Sequence, residues 1–121
     1  MKDRLYNLDV LKATTDGDNE FFIKILSTFL ANNKDSLSKM QEAVKTKKTE
    51  DVGNFAHKML SSYKHLEVHL LTDVLARLEG LSLGLGQELS LKEVEGMVAY
   101  LSVHSVELFG EIEKEIEKVA V

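Results

Sequence analysis

The sequence predicts an all-α fold, an antiparallel four-helix bundle with a short N-terminal capping helix, in a single domain over residues 1–121. Three observations carry this. The 121 residues include no proline and many Leu, Lys, Glu and Ala, which lose least on entering a helix. Apolar residues recur with helical period through four long segments. The breaks between those segments are short, so consecutive helices must fold back on one another, and the chain suffices for one core but not two.

The opening piece carries Leu8, Val10 and Leu11 after Asn7, a capping residue type; too brief to stand alone, it is expected to lid one end of the bundle. Asp16-Gly17-Asp18 breaks it. Asp18 caps the next helix, whose first turn carries Glu20 near the positive end of the dipole. Phe22, Ile25, Leu26, Phe29, Leu30, Asn33, Leu37, Met40 and Val44 then keep helical spacing to about Thr46, a helix of roughly 40 Å at 1.5 Å per residue. Lysines and threonines at 45–49 make the turn, with Thr49 as the expected cap and Glu50 and Asp51 in the first turn of the third helix.

On that third helix Val52, Phe55, Ala56, Met59, Tyr63 and Leu66 form the core stripe. After Glu67-Val68 the pattern restarts as Leu70, Leu71, Val74, Leu75, Leu78 and Leu81, and so short a link predicts an antiparallel hairpin. Gly84 and Gly86 mark the next break. Ser90 and Glu93 have capping-box spacing before Val94, Met97, Val98, Leu101, Ser105, Leu108, Ile112 and Ile116 carry the last apolar stripe.

Composition removes several function classes. Without cysteine there are no disulfides and no thiol chemistry. No apolar run is long enough to span a bilayer and the first residues lack a signal-peptide core, so membrane insertion is not expected and the location read from the sequence is soluble and cytoplasmic. A net charge of -5 argues against nucleic acid, which needs a concentrated basic face. Lys45, Lys47, Lys48, Lys58 and Lys64 nevertheless cluster before and within the third helix, whereas Glu107, Glu111, Glu113, Glu115 and Glu117 load the last one, where a solvated face is the simple reading.

His57 falls outside the core stripe of its helix. Gly53 lies one turn before it and Ser61 one turn after, with Lys64 beyond, because residues four apart stack on one face. Small residues on both sides leave open ground around an imidazole, as a nucleophile presented to another protein requires. A solvated surface histidine is about equally compatible with this helix alone. A metal site is disfavoured because Gly53 and Ser61 occupy the i±4 places. His65 and His69 read as solvated residues, and His104 as a half-buried, hydrogen-bonded residue at the margin of the last apolar stripe.

With the whole chain in view, the order of elements resembles that of a histidine-containing phosphotransfer (HPt) domain, the relay module of multistep His-Asp phosphorelays. The resemblance rests on Leu5-Tyr6-Asn7-Leu8 with Leu11, on Gly17-Asp18-Asn19-Glu20-Phe21 and the long helix from Phe22 to Val44, on Ala56-His57-Lys58-Met59 followed by Ser61-Ser62 and Leu66, and on the helix from Leu70-Leu71 to Leu78-Glu79. It covers nearly the whole chain and implies a four-helix bundle with His57 as phosphoacceptor. Where the family usually has a lysine three residues after the histidine and a glycine four after, this sequence has Leu60 and Ser61; Glu67 stands where the family often has a turn glycine. Lys58 or Lys64 would then supply the positive charge.

The resemblance further implies a phosphocarrier, not an enzyme with nucleotide-dependent kinase activity of its own. The expected partners are response-regulator receiver domains, including those of a hybrid sensor kinase, with no cofactor on this chain and Mg²⁺ on the receiver. Leu60, Gly53, Ser61, Lys58, Lys64 and Asn54 are the expected contact residues around His57, with Leu60 assigned to the rim. The alternative is a phosphorylation-incompetent docking or adaptor domain that binds a receiver.

Overall fold

The computed structural model describes residues 5–84 and 89–120, and within them the chain forms five helices: α1 (Asp9–Thr15), α2 (Asn19–Lys45), α3 (Thr49–His65), α4 (His69–Glu79) and α5 (Leu91–Ala120). The all-helical expectation holds. Both α3 and α5 pack on α2 and on α4, and α1 lies against α2. The stripes read from periodicity meet in one core, where Leu26, Met40, Met59, Leu75, Leu101 and Ile112 are fully buried. Cross-helix partners fix directions: Lys34 meets Glu113 and Gln41 meets Ser102, so α2 and α5 run antiparallel. Among the described residues no helix is long and apolar enough to cross a membrane.

Two of the expected starts are made by side chains. Asp18 accepts from the Phe21 N–H (3.0 Å), and Ser90 and Glu93 exchange bonds, the Ser90 N–H donating to Glu93 Oε1 (3.3 Å) and the Glu93 N–H to Ser90 Oγ (3.1 Å). Thr49 is not a cap. Lys48 holds that position without a side-chain bond, because the preceding turn is closed through the backbone. Lys47 is left-handed (φ 62°), and the Lys48 N–H returns to the Ala43 carbonyl at 2.8 Å. The α3–α4 link repeats this device: Glu67 has φ 52°, and the Val68 N–H reaches the Tyr63 carbonyl at 3.0 Å. Both are helix-terminating turns in which glycine is the usual left-handed residue. At the last break Gly84 supplies a positive φ of 74°; Gly86 lies outside the described residues.

The capping position of α1 falls on Leu8 and not on Asn7 and carries no side-chain bond; Asn7 accepts the Asp9 N–H (2.8 Å) from one residue further out, and its own N–H donates to the Leu66 carbonyl (2.8 Å), tying the leading segment to the α3–α4 turn. Of the expected apolar set Leu8 is buried and Leu11 half-buried, whereas Val10 points outward and Tyr6 is buried in addition. The acidic C-terminal face also needs correction. Glu115 is buried and accepts a hydrogen bond from the Tyr6 hydroxyl (3.0 Å), which offsets the cost of taking its carboxyl group out of water.

Across the core, Tyr63 and Ser105 share a hydrogen bond of 2.7 Å between α3 and α5. Burial pushes the Tyr63 phenol above its ordinary 10.0, and the bond to Ser105 pulls it partly back. The native state therefore holds a proton that the unfolded chain releases above that value. Stability is complete below pH 10 and falls as pH rises beyond it. The expected slope from this group is up to about 1.4 kcal/mol per pH unit. Urea titrations at stepped alkaline pH check it: Tyr63→Phe loses this share of the slope, and equal slopes in the two proteins contradict the assignment.

Candidate functional site

His57 lies in the middle of α3 with 72% of its side chain exposed, as its place outside the core stripe requires. Its Nδ1 contacts the Glu79 carboxylate at the end of α4. The pairing follows from hairpin register. Residues 57 and 79 stand equally far from Val68 in the turn, so antiparallel packing brings them level. The carboxylate selects the tautomer with the proton on Nδ1 and leaves the Nε2 lone pair for chemistry. As a contact between partly solvated groups it contributes little to stability. Its consequence is orientation of a ring that otherwise rotates freely.

The sequence reading does not single out Glu79. The signal for it is the hairpin register: the antiparallel spacing that pairs the core residues of α3 and α4 also sets positions 57 and 79 level on the outer side.

The remaining candidates divide. Lys58, Ser61, Lys64 and Asn54 are exposed on α3 with His57. Lys58 turns sideways, its ammonium 5.6 Å from the centre of the Phe55 ring, an attraction between cation and ring face. Lys64 is seven residues on, about 10 Å along the helix axis. Leu60 is a correction: at 6% exposure it belongs to the core and not to a rim. Leu83, in the turn after α4, is 63% exposed.

Gly53 is the second correction. It is buried, not open ground for a partner. A Cβ at this position would stand 2.4 Å from the Ser82 nitrogen, 2.9 Å from Ser82 Cβ and 3.1 Å from the Leu78 carbonyl. The glycine lets the end of α4 and its turn lie directly on α3, one helical turn from His57, and so sets where Glu79 arrives. An exposed helical glycine replaced by alanine gains about 1 kcal/mol. Here the backbone must move, and Gly53→Ala is expected to destabilise by about 1–3 kcal/mol despite that gain. Thermal unfolding checks the sign, and a raised melting temperature contradicts the close approach.

The other histidines sit differently. His65 is exposed, and His69 is exposed with Nε2 3.8 Å from Glu67. His104 is half-buried against the Tyr100 ring, 4.5 Å between centroids, with Nδ1 3.9 Å from Glu107; that nitrogen is buried without a hydrogen-bond partner, contrary to the hydrogen-bonded residue read from sequence. A cavity of about 530 Å³ opens at the α3–α4 turn between Tyr6, Asp9, Lys12, Glu67 and Glu115, away from the middle of α3. Of the four imidazoles, only His57 combines high exposure, a mid-helix support and a carboxylate on one nitrogen.

No protein-family model, curated protein or solved structure matches the chain.

Proposed function

We propose that this chain is a histidine phosphotransfer module of a two-component phosphorelay, cytoplasmic, in which His57 takes a phosphoryl group from the aspartyl phosphate of one receiver domain and gives it to another. The observation that carries the reading is the exposed His57 ring with Nδ1 held by Glu79, which leaves Nε2 for the reaction. The packing of α2 to α5, read as an antiparallel four-helix bundle with α1 closing the α3–α4 end, is in keeping with it.

In the forward step Nε2 of His57 attacks phosphorus in line with the aspartyl oxygen; the N–P bond forms, the P–O bond breaks, and the free carboxylate leaves. The Nδ1 proton stays on the ring, which becomes cationic, and the adjacent Glu79 carboxylate offsets that charge. Return transfer to a second receiver reverses each bond change. Mg²⁺ and most of the stabilisation of the moving phosphoryl group belong to the receiver. This chain holds the nucleophile in position and leaves room for approach. Glu79→Gln keeps the size of the side chain and removes its charge; it is expected to slow transfer roughly tenfold to a hundredfold. Rapid-quench transfer from a phosphorylated receiver measures it, and an unchanged rate removes Glu79 from the reaction.

A second reading, a docking or adaptor domain that binds a receiver without accepting phosphate, draws on one specific feature. Leu60 fills the core at the place where the HPt family carries a lysine, so no cation stands there. Incubation with a phosphorylated receiver separates the two readings: acid-labile, base-stable label on this chain supports the relay, and binding without label supports the adaptor.

A further inference from the structure

The carboxylate on Nδ1 also governs how long a phosphoryl group would stay on the same ring. An N–P bond at Nε2 breaks with its electron pair going to that nitrogen. Where Nδ1 bears a proton, the ring departs as neutral imidazole; where it does not, the ring departs as the far more basic imidazolate, a poor leaving group. A protonated Nδ1 therefore activates the bond towards any nucleophile, water included. In this chain the partner of Nδ1 is the Glu79 carboxylate, an acceptor that cannot donate to a bare nitrogen. In the phosphorylated state its charge favours the cationic ring, so the proton stays where it activates the bond. The ring also stands in water, with 72% of the His57 side chain exposed. Leu60 is core and the Lys58 ammonium is drawn to the Phe55 ring, 5.6 Å from its centre, so neither neighbour covers the site.

We infer that phosphorylated His57 discharges itself to water, with Glu79 as the positioning residue that sets the rate. The inference rests on His57 as the phosphoacceptor and adds a second outlet for the group it carries. A water oxygen attacks phosphorus in line with Nε2; the P–O bond forms, the N–P bond breaks, and its electron pair returns to Nε2. The ring keeps its Nδ1 proton and is neutral again beside Glu79. Both protons of the water leave on the phosphate, which then exchanges with bulk solvent. A second receiver must take the group before water does, so the carried phosphoryl is a short-lived signal and not a store.

Potassium phosphoramidate, a small donor that needs no partner protein, loads the intact chain, and the phosphohistidine signal is then followed by ³¹P spectroscopy after desalting at fixed neutral pH. Because decay is read after loading, slower loading of a variant does not enter. The Glu79→Gln phosphoprotein is expected to outlive the wild type by about tenfold or more, since the amide donates to a bare Nδ1 and stabilises the neutral ring. Glu79→Ala is expected to lengthen the lifetime in the same direction. The ¹⁵N shift of Nδ1 in the phosphoprotein is expected to report a proton in the wild type and a bare nitrogen in Glu79→Gln, a difference that a merely structural Glu79 would not produce. Equal lifetimes in wild type and Glu79→Gln, or a bare Nδ1 in the wild-type phosphoprotein, overturn the inference and leave His57 as the acceptor. Label absent from the wild type, or equally strong in His57→Gln, overturns the acceptor reading and this inference with it.

Discussion

Replacing His57 with Gln is expected to reduce acid-labile, base-stable labelling by a phosphorylated receiver to background, while changing unfolding free energy by no more than about 0.5 kcal/mol. The two halves of this result belong together. The ring is mostly in solvent and its contact with Glu79 is a surface pair, so losing it removes little packing; glutamine reaches the same carboxylate with an amide donor. The nucleophilic nitrogen, by contrast, has no substitute on that face of α3. Labelling and urea denaturation on one preparation check both halves. Label persisting in the variant moves the acceptor to another residue, and a large loss of stability makes His57 a structural residue.

Leu60→Ala is expected to destabilise the protein by about 2–5 kcal/mol, the cost of emptying a core leucine site. Leu60 is 6% exposed, and chemical denaturation with unchanged m-value measures the effect. A leucine on the rim would cost under about 0.5 kcal/mol. The result bears on function as well as stability. If position 60 is core, a lysine there would have to draw its charge out of an apolar site, so this chain cannot present a cation three residues after His57 as the HPt pattern does. Positive charge beside the phosphoryl group would have to come from Lys58, Lys64 or the receiver.

Helical order and most helix limits were legible because they rest on local rules. A 3.6-residue period places Leu26, Met40, Leu101 and Ile112 in the core whatever the partners are, and Asp18 and the Ser90–Glu93 box make bonds within one turn. The exposure of His57 was legible for the same reason. What could not be read depends on which backbone crosses which. Gly53 looks alike whether its missing Cβ opens space to solvent or admits Ser82. Leu60 lies at the margin of the stripe, where a few degrees of helix rotation decide burial. Glu115 resembles the other acidic residues of α5, and Tyr6, which bonds it, lies 109 positions away in sequence. Thr49 is not the cap that its residue type suggests, because the turn before it is closed by backbone bonds around Lys47, a conformation that a lysine does not advertise.

The claim on which the rest depends is that Nε2 of His57 is the atom that accepts a phosphoryl group while Nδ1 stays bound to Glu79. Long-range ¹H–¹⁵N and ³¹P spectra of the imidazole, recorded before and after incubation with a phosphorylated receiver, observe it directly. The expected result is the Nδ1–H tautomer in the free protein and phosphorus on Nε2 of His57 afterwards. Phosphorus on Nδ1, on another histidine, or on no histidine of this chain would contradict it.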